Sequence, residues 1–425
     1  MILMSENKVV LRGWVYKKRE HKKVVFFDVR TKDGISQCVL HKDKASEELW
    51  KTALKITQES SLIVEGEKVE EPRAPGGFEI RIEKITPVHI AQSPYPLGKK
   101  EHSPDVLLEY RHLALRSPRY QAIMKVRNAA MEAGRRFFIE NGWYEVSPPI
   151  IGFTAAEGGA TLFKVNYFDT EAYLSQSAQL YLEVMIFSLE KVWSFTPSFR
   201  AEKSRTTRHI AEFWHLEAEA AWMDLDELMK LEENLLTYMV RYVIDHAKDS
   251  LEFLNVNIDD LRKVKPPFKR ITYDEAIDIA RELGSNIEWG QDLGAVEEKL
   301  LTQESKEPLF VYNYPLKIKA FYVQAKPDEP EIGLTVDMLA PEGFGELSTG
   351  GQREINIDSL VERIKKEGFN PESYWWYLDL RKYGSVPHSG FGMGIERFLR
   401  WLLKLDHIRE AIPFPRLARR EERII

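Results

Sequence analysis

Along this chain of 425 residues the hydrophobic pattern changes once, near residue 90, and that change limits the possible folds more than any single motif. Before it, apolar residues come in short runs typical of strands. After it, they recur at helical spacing. Val9 to Tyr16, Val24 to Arg30 and Ile35 to Leu40 are strand-like, and Asp33-Gly34 between the last two is a hairpin signal. Lys42 to Ile56 reads as a helix with Leu49, Ala53 and Ile56 on one face. Leu62 to Val69 and Phe78 to Ile85 are two further strands, separated by the turn-rich Pro72 to Gly77.

Five strands with a helix between the third and fourth follow the order of an OB-fold barrel. Ile90 to Pro104 is rich in Pro, Ser, Gly and Lys and reads as a linker. Beyond it, Ile123, Val126, Ala130, Ala133 and Phe137 form one helical face that ends at Asn141-Gly142. Trp143 to Val146 then reads as a strand entering Ser147-Pro148-Pro149. Strand-like runs recur at Ala172 to Ser175, Val192 to Thr196, Glu212 to Ala221 and Leu309 to Tyr312, with a helical stretch at 224–248. The expected organisation is an OB-fold domain at 1–92, a hinge at 93–116 and an α+β domain at 117–425. The last is expected to have a mainly antiparallel sheet with flanking helices and a helical insertion at about 224–330.

The chain is 44% hydrophobic and 30% charged, enough to bury a sizeable core and remain soluble. No apolar run approaches the roughly 18–20 residues of a membrane span. Met1 to Lys8 lacks the apolar core and cleavage site of a signal peptide. Cys38 is the only cysteine, which excludes a disulfide framework and a cysteine-based zinc site and fits a reducing cytoplasm. Net charge is −6, but residues 1–45 carry eleven Lys/Arg against five Asp/Glu. Such a run is either a solvated basic surface or a phosphate-facing patch.

Two segments carry chemistry. In the first, Phe199-Arg200-Ala201-Glu202 is followed by Arg208-His209 and Phe213. Arg200 offers a planar fork suited to a phosphate, and Glu202, two residues on, is expected on the same strand face. His209 can donate to a terminal phosphate, and Phe213 can stack on a base. Taken alone, an Arg-x-Glu pair is usually an ordinary ion pair. The second segment, Ser389 to Leu399, places glycines at 390, 392 and 394 and then Ile395-Glu396-Arg397. Alternating glycines allow a ligand, or a neighbouring element, to approach the backbone closely. The spacing does not fit a dinucleotide fingerprint.

With the helix–strand unit ending at Pro149, these segments resemble, in order, the three signature motifs of class II aminoacyl-tRNA synthetases. The resemblance implies a homodimer built on the first motif. It implies ATP binding by Arg200, Glu202, Arg208, His209, Phe213, Glu346, Gly394, Glu396 and Arg397, with Arg200, Glu202, His209 and Arg397 serving catalysis. Asp337 and Glu346 resemble the acidic pair that binds Mg²⁺ and phosphate, a suitable role for a few carboxylates beside substrate oxygens. Neither chemical step needs a protein nucleophile; positioning and charge neutralisation carry the rate.

An OB-fold ahead of such a core resembles the aspartyl, asparaginyl and lysyl group, in which the barrel binds the anticodon. Phe26 and Gln37 match the residues that contact its central uridine, although a strand phenylalanine can equally be core. Gln176 to Glu183 resembles a segment whose aspartyl version carries lysine where this chain has Leu182. Arg353 matches the arginine that contacts the substrate side chain. The implied amino-acid site is Glu157, Ser177, Gln179, Leu182, Glu183, Glu217, Thr349 and Arg353, with Glu157 on a mobile loop and Thr349 larger than its usual counterparts. A lone arginine would leave a buried carboxylate underpaired, whereas an amide needs one donor and one acceptor. The resemblance therefore points to an asparaginyl enzyme acting on tRNA(Asn), asparagine and ATP in the cytoplasm. The alternatives are an aspartyl enzyme of relaxed tRNA specificity, a synthetase-derived asparagine synthetase and a non-catalytic tRNA-binding protein.

Overall fold

The computed structural model describes residues 2–3, 7–98, 101–155, 161–202 and 206–418. The chain divides into two units, Met1–Ala114 and Leu115–Ile425.

In the first unit, strands Lys8–His21, Val24–Thr31, Gly34–His41, Ser61–Glu70 and Phe78–His89 close into a barrel. Closure is visible in the pairing: Lys8–His21 bonds antiparallel both to Val24–Thr31 and to Ser61–Glu70, and Gly34–His41 pairs in parallel with Phe78–His89. Full closure leaves the barrel no open edges. Leu11, Val15, Phe27, Val29, Val64 and Ile80 fill the interior. Gly34 has φ +138°, a conformation that a side chain would disfavour, so it turns the second hairpin. The expected helix is shorter than Lys42 to Ile56. A 3₁₀ turn at Lys42–Lys44 precedes Glu47–Lys55, whose first turn is capped by the Ser46 hydroxyl. The stretch expected as a hinge carries two short helices, Pro104–Glu109 and Arg111–Ala114.

The second unit is built on an eight-stranded sheet. Its order is Lys269–Thr272, Leu309–Tyr312, Thr335–Ala340, Gly345–Gln352, His388–Gly394, Glu212–Ala221, Lys191–Phe199 and Tyr144–Glu145. Only the two outermost pairings are parallel. Two long helices, Pro118–Glu140 and Leu225–Phe253, pack against each other. Ser117 caps the first, and Asn141 with left-handed Gly142 ends it. A capping box of Asp224 and Glu227 starts the second. Gly134 lets the first helix press onto the sheet: a Cβ there would stand 2.9 Å from Leu216 Cδ2.

Two expectations need correction. The stretch 224–330 is not a helical insertion, because Lys269–Thr272 and Leu309–Tyr312 belong to the main sheet. The Trp143 to Val146 strand shrinks to Tyr144–Glu145 because Trp143 turns into the core and stacks edge-on against Phe138.

Candidate active site

Strand alternation builds the site. Along Glu212–Ala221, the apolar Leu216, Ala218 and Ala220 are fully buried, while Phe213, His215, Glu217 and Glu219 border the cavities on the other side. The register continues this across the sheet: Asp337 lies opposite Thr349, Thr349 opposite Gly392, and Gly392 opposite Glu217. Two cavities open over these strands, and Arg200, His215, Thr349 and Gly392 line both.

The glycines at 390 and 392 make room for neighbouring side chains. A Cβ at Gly390 would overlap Glu219, and one at Gly392 would overlap His215. The close approach expected for a ligand is thus largely made by protein. Gly394 does border the first cavity, and its missing Cβ faces only Arg397.

The first cavity gathers Arg200, Glu202, Arg208, His209, Phe213, Glu346, Gly394 and Arg397. Strand Lys191–Phe199 stops one residue before Arg200, so Arg200 and Glu202 lie on the loop that leaves it, not on one strand face. The Arg200 amide still bonds to Ala211 O at 2.9 Å, and its guanidinium lies 5.5 Å from the Phe213 ring centre. Arg397 Nη1 donates to Glu346 Oε1 at 2.6 Å, and Arg208 pairs with Glu298. Burial pushes Glu298 up to about 7, and the neighbouring Glu346 charge adds to this. His209 is pushed below its ordinary value by burial and by Arg397, so at neutral pH it can act as a neutral donor. Glu396 borders this cavity but has a different role. It is fully buried, accepts the Trp214 amide at 3.0 Å and pairs with Arg127 at 2.7 Å, tying the cavity floor to the long helix.

The second cavity is lined by Ser177, Gln179, Glu217, Glu219, Lys319, Tyr322, Thr349 and Arg353. Its charges are paired within the protein. Arg353 is 4% exposed and grips Glu219 with Nε and Nη2. Burial raises the Glu219 carboxyl, and Arg353 opposes this. Glu217 takes the Ser177 hydroxyl and the Ala178 amide, the latter at 2.9 Å. Lys319 meets Asp337 Oδ2 at 3.1 Å, while Asp337 Oδ1 accepts from Thr349.

Several expected residues lie elsewhere. Leu182 is fully buried and packs with Ala178, Ile186, Val192 and Ala221, so it does not line the cavity. Glu183 is also fully buried, enclosed by Gln179, Tyr377, Arg381 and His388. Asp337 lies opposite Thr349 and Glu346 opposite Leu339, two positions along the same strand, and the charges of both act on Lys319. Glu157 lies outside the described residues.

His215, Glu219 and Lys319 were missed by sequence reasoning. The first two were readable, because the alternation that selects Phe213 and Glu217 also selects them. Lys319 carried no such signal: it precedes Ala320 in a 3₁₀ connection outside every motif.

On the barrel, Phe26 is half-buried while Phe27 takes the core position. Arg19 joins Phe26, Asp28 and Gln37: its guanidinium lies 5.3 Å from the Phe26 ring and donates to Asp28 at 2.9 Å and to Gln37 at 2.8 Å.

Residues 103–418 match the model of class II tRNA synthetases (D, K and N), and residues 9–88 match the OB-fold nucleic acid binding domain. The chain is 54% identical to the asparagine–tRNA ligase of Pyrococcus abyssi, and 56% identical to that of Thermococcus kodakarensis. Each match covers 98% of this chain and 96% of the relative. The crystal structure of asparaginyl-tRNA synthetase from Pyrococcus horikoshii complexed with asparaginyl-adenylate superposes with a TM-score of 0.94 at 53% identity. It covers 97% of this chain and 96% of the other.

Proposed function

From a chain that belongs to the class II tRNA synthetases of the D, K and N group, we infer an enzyme that ligates asparagine to tRNA(Asn) through an asparaginyl-adenylate. The asparagine carboxylate attacks the α-phosphorus of ATP and pyrophosphate leaves. The terminal hydroxyl of the tRNA then attacks the adenylate carbonyl and AMP leaves. The observation that carries this reading is the pair of cavities meeting at Arg200. A guanidinium there can touch both the carboxylate and the α-phosphate during attack. Arg397, Arg208 and His209 suit the remaining phosphates, and Phe213 suits the adenine.

The side-chain end of the second cavity fits asparagine better than aspartate. Arg353 can donate to a carboxamide oxygen, but Glu219 already neutralises it, and Glu217 adds a second acid. A carboxylate would add charge to a site holding no surplus cation, whereas an amide would leave the balance unchanged.

The site fits Mg²⁺ through Glu346, which is half-exposed at the phosphate cavity. Among the described residues no group of three or more His, Cys, Asp or Glu gathers, but Mg²⁺ needs only one or two carboxylates with phosphate oxygens and water. Bound there, it would neutralise phosphate charge. Asp337 is held by Lys319 and Thr349 and Glu346 by Arg397, so either carboxylate would take the ion by exchanging its present partner.

We further propose a homodimer, supported by the exposed apolar Ile150, Ile151, Phe153 and Phe168 just beyond Pro149. Light scattering at micromolar concentration should show twice the monomer mass. The site of action is the cytoplasm, where tRNA is charged. Among the described residues no helix is long and apolar enough to cross a membrane. The Phe26, Arg19 and Gln37 cluster suits a base of the anticodon. Phe26→Ala should weaken tRNA charging by about 1–3 kcal/mol of affinity while sparing adenylate formation.

The deciding experiment is pyrophosphate exchange with asparagine and aspartate in parallel, followed by tRNA charging. Exchange should require asparagine and charging should follow. Exchange supported equally by aspartate would overturn the assignment.

A further inference from the structure

Glu183 sits beneath the second cavity, fully buried, on the helix Gln179–Leu189. It is surrounded by donors. Tyr377 O–H lies at 2.8 Å, Arg381 Nη2 at 2.8 Å and His388 Nε2 at 2.9 Å, and Gln179 Nε2 at 3.1 Å completes the set. The tyrosine proton is itself directed, because Tyr377 O accepts from Arg381 Nη2 at 2.9 Å. Burial would favour the neutral acid. The Arg381 charge, the His388 hydrogen bond and the Arg353 charge outweigh it and draw the carboxyl below the ordinary range. The group is therefore an anion that can only accept.

An acceptor-only neighbour fixes the direction of an amide. Gln179 can offer Glu183 nothing but its NH₂ end. Its carbonyl oxygen then has no hydrogen-bond partner among the described residues, while the residue itself borders the second cavity. The main-chain amide of Gln179 is held by the Ser177 hydroxyl at 3.1 Å, so the residue is steadied at both ends.

We propose that Glu183 is a positioning residue that locks the Gln179 carboxamide with its oxygen toward the cavity, so that this wall accepts a hydrogen bond from a substrate N–H and cannot donate one. The proposal rests on the second cavity binding asparagine, and it replaces the direct contact expected of Glu183 with action through Gln179. Asparagine has two N–H groups that the oxygen can take, the α-ammonium and the side-chain amide. Aspartate has only the first. A glutamine free to turn would present its NH₂ to a side-chain carboxylate and lose that distinction.

The test compares kcat/KM for asparagine in pyrophosphate exchange across Gln179 and Glu183 variants, with thermal unfolding monitored. Wild-type protein inactive with asparagine would refute the underlying assignment and not the lock. Gln179→Met removes the oxygen and should raise the asparagine KM about tenfold with little change in the ATP KM. Gln179→Glu keeps an oxygen but places a second carboxylate about 3 Å from Glu183 with no donor between them. It should be worse than Gln179→Met by a further several-fold. Adding Glu183→Gln to Gln179→Glu supplies a donor at position 183 and should recover activity over Gln179→Glu alone. Gln179→Glu matching or exceeding Gln179→Met would overturn the lock, whether or not the Glu183 variants fold. If Gln179→Met changes the asparagine-to-aspartate ratio, the oxygen serves the side-chain amide. If both substrates weaken alike, it serves the α-ammonium.

Discussion

The two cavities share Arg200 yet treat charge in opposite ways. In the first, the charged side chains remain partly open to solvent: Arg397 is 26% exposed, Glu346 30% and His209 31%. In the second, the side chains of Arg353, Glu219 and Glu217 are almost wholly closed off, and each has its partner within the protein. A ligand that brings several phosphate charges, and an ion with them, calls for groups that can exchange water for ligand. A ligand end that is neutral but strongly polar calls for a site already balanced, so that an extra charge has nowhere to go.

The contrast is sharpest at the arginines. On the proposed function, Arg200→Ala and Arg397→Ala each remove a charge-assisted contact to a phosphate or to the adenine. Each should lower kcat/KM in pyrophosphate exchange by about 10²–10³, or roughly 3–4 kcal/mol. The unfolding midpoint should change far less, since both side chains are only half-buried at the open cavity. A loss of only a few-fold would place the phosphates elsewhere.

In the second cavity the sensitive partner is the acid. Glu219→Gln leaves Arg353 buried without its paired carboxylate, which should cost roughly 3 kcal/mol of stability. The same unpaired guanidinium should welcome a carboxylate, so the asparagine-to-aspartate ratio in exchange should shift toward aspartate by about tenfold. An unchanged ratio would mean that balance is not the basis of selection. Lys319→Met makes a milder break. It leaves Asp337 with Thr349 and Tyr314 as its hydrogen-bond partners, and should raise the asparagine KM about three- to tenfold while the ATP KM holds.

The same contrast explains what the sequence made legible. The barrel was readable because closed antiparallel strands leave a period-two signal and turn residues between them. The first cavity was readable because most of its charged residues lie within two short motifs, Phe199 to Phe213 and Ser389 to Leu399, with Glu346 outside them. The second cavity is assembled from seven separated segments, and its partners are chosen by register. Nothing local in Glu219 says that Arg353, 134 residues away, will grip it. Leu182 and Glu183 were misplaced for a related reason. Both lie near Gln179 in sequence, but a helix turns away from the wall it begins on, so neighbouring residues enter the core within one turn. The glycines at 390 and 392 signalled a close approach correctly, yet only the structure shows that His215 and Glu219 make it.

A pH dependence tests how far the balance extends below the second cavity. Glu232 comes from the long helix Leu225–Phe253 and lies under the sheet, where Oε2 meets Ser348 Oγ at 2.5 Å. Its other oxygen has no hydrogen-bond partner among the described residues. Gly350, on the cavity wall, leaves it space: a Cβ there would stand 3.1 Å from Glu232 Oε1. The Arg353 charge that reaches it is already gripped by Glu219, so this acid is compensated by keeping its proton. Burial pushes it up to about 8, with the Ser348 hydrogen bond opposing and Asp337 reinforcing. Between its ordinary value of 4.5 and about 8, the unfolded chain has released the proton and the folded protein retains it. Folding then takes up a proton, so this group makes stability fall as pH rises, by up to about 1.4 kcal/mol per unit. Glu232→Gln cannot ionise and should lose that slope. Denaturant midpoints at unit steps from pH 5 to 9 should show the variant close to wild type at pH 5. It should then gain on wild type with each step to pH 8 and level off above it. A constant difference across the range would mean that Glu232 is ionised in the folded protein, and that the layer under the amino-acid cavity holds a charge with no partner.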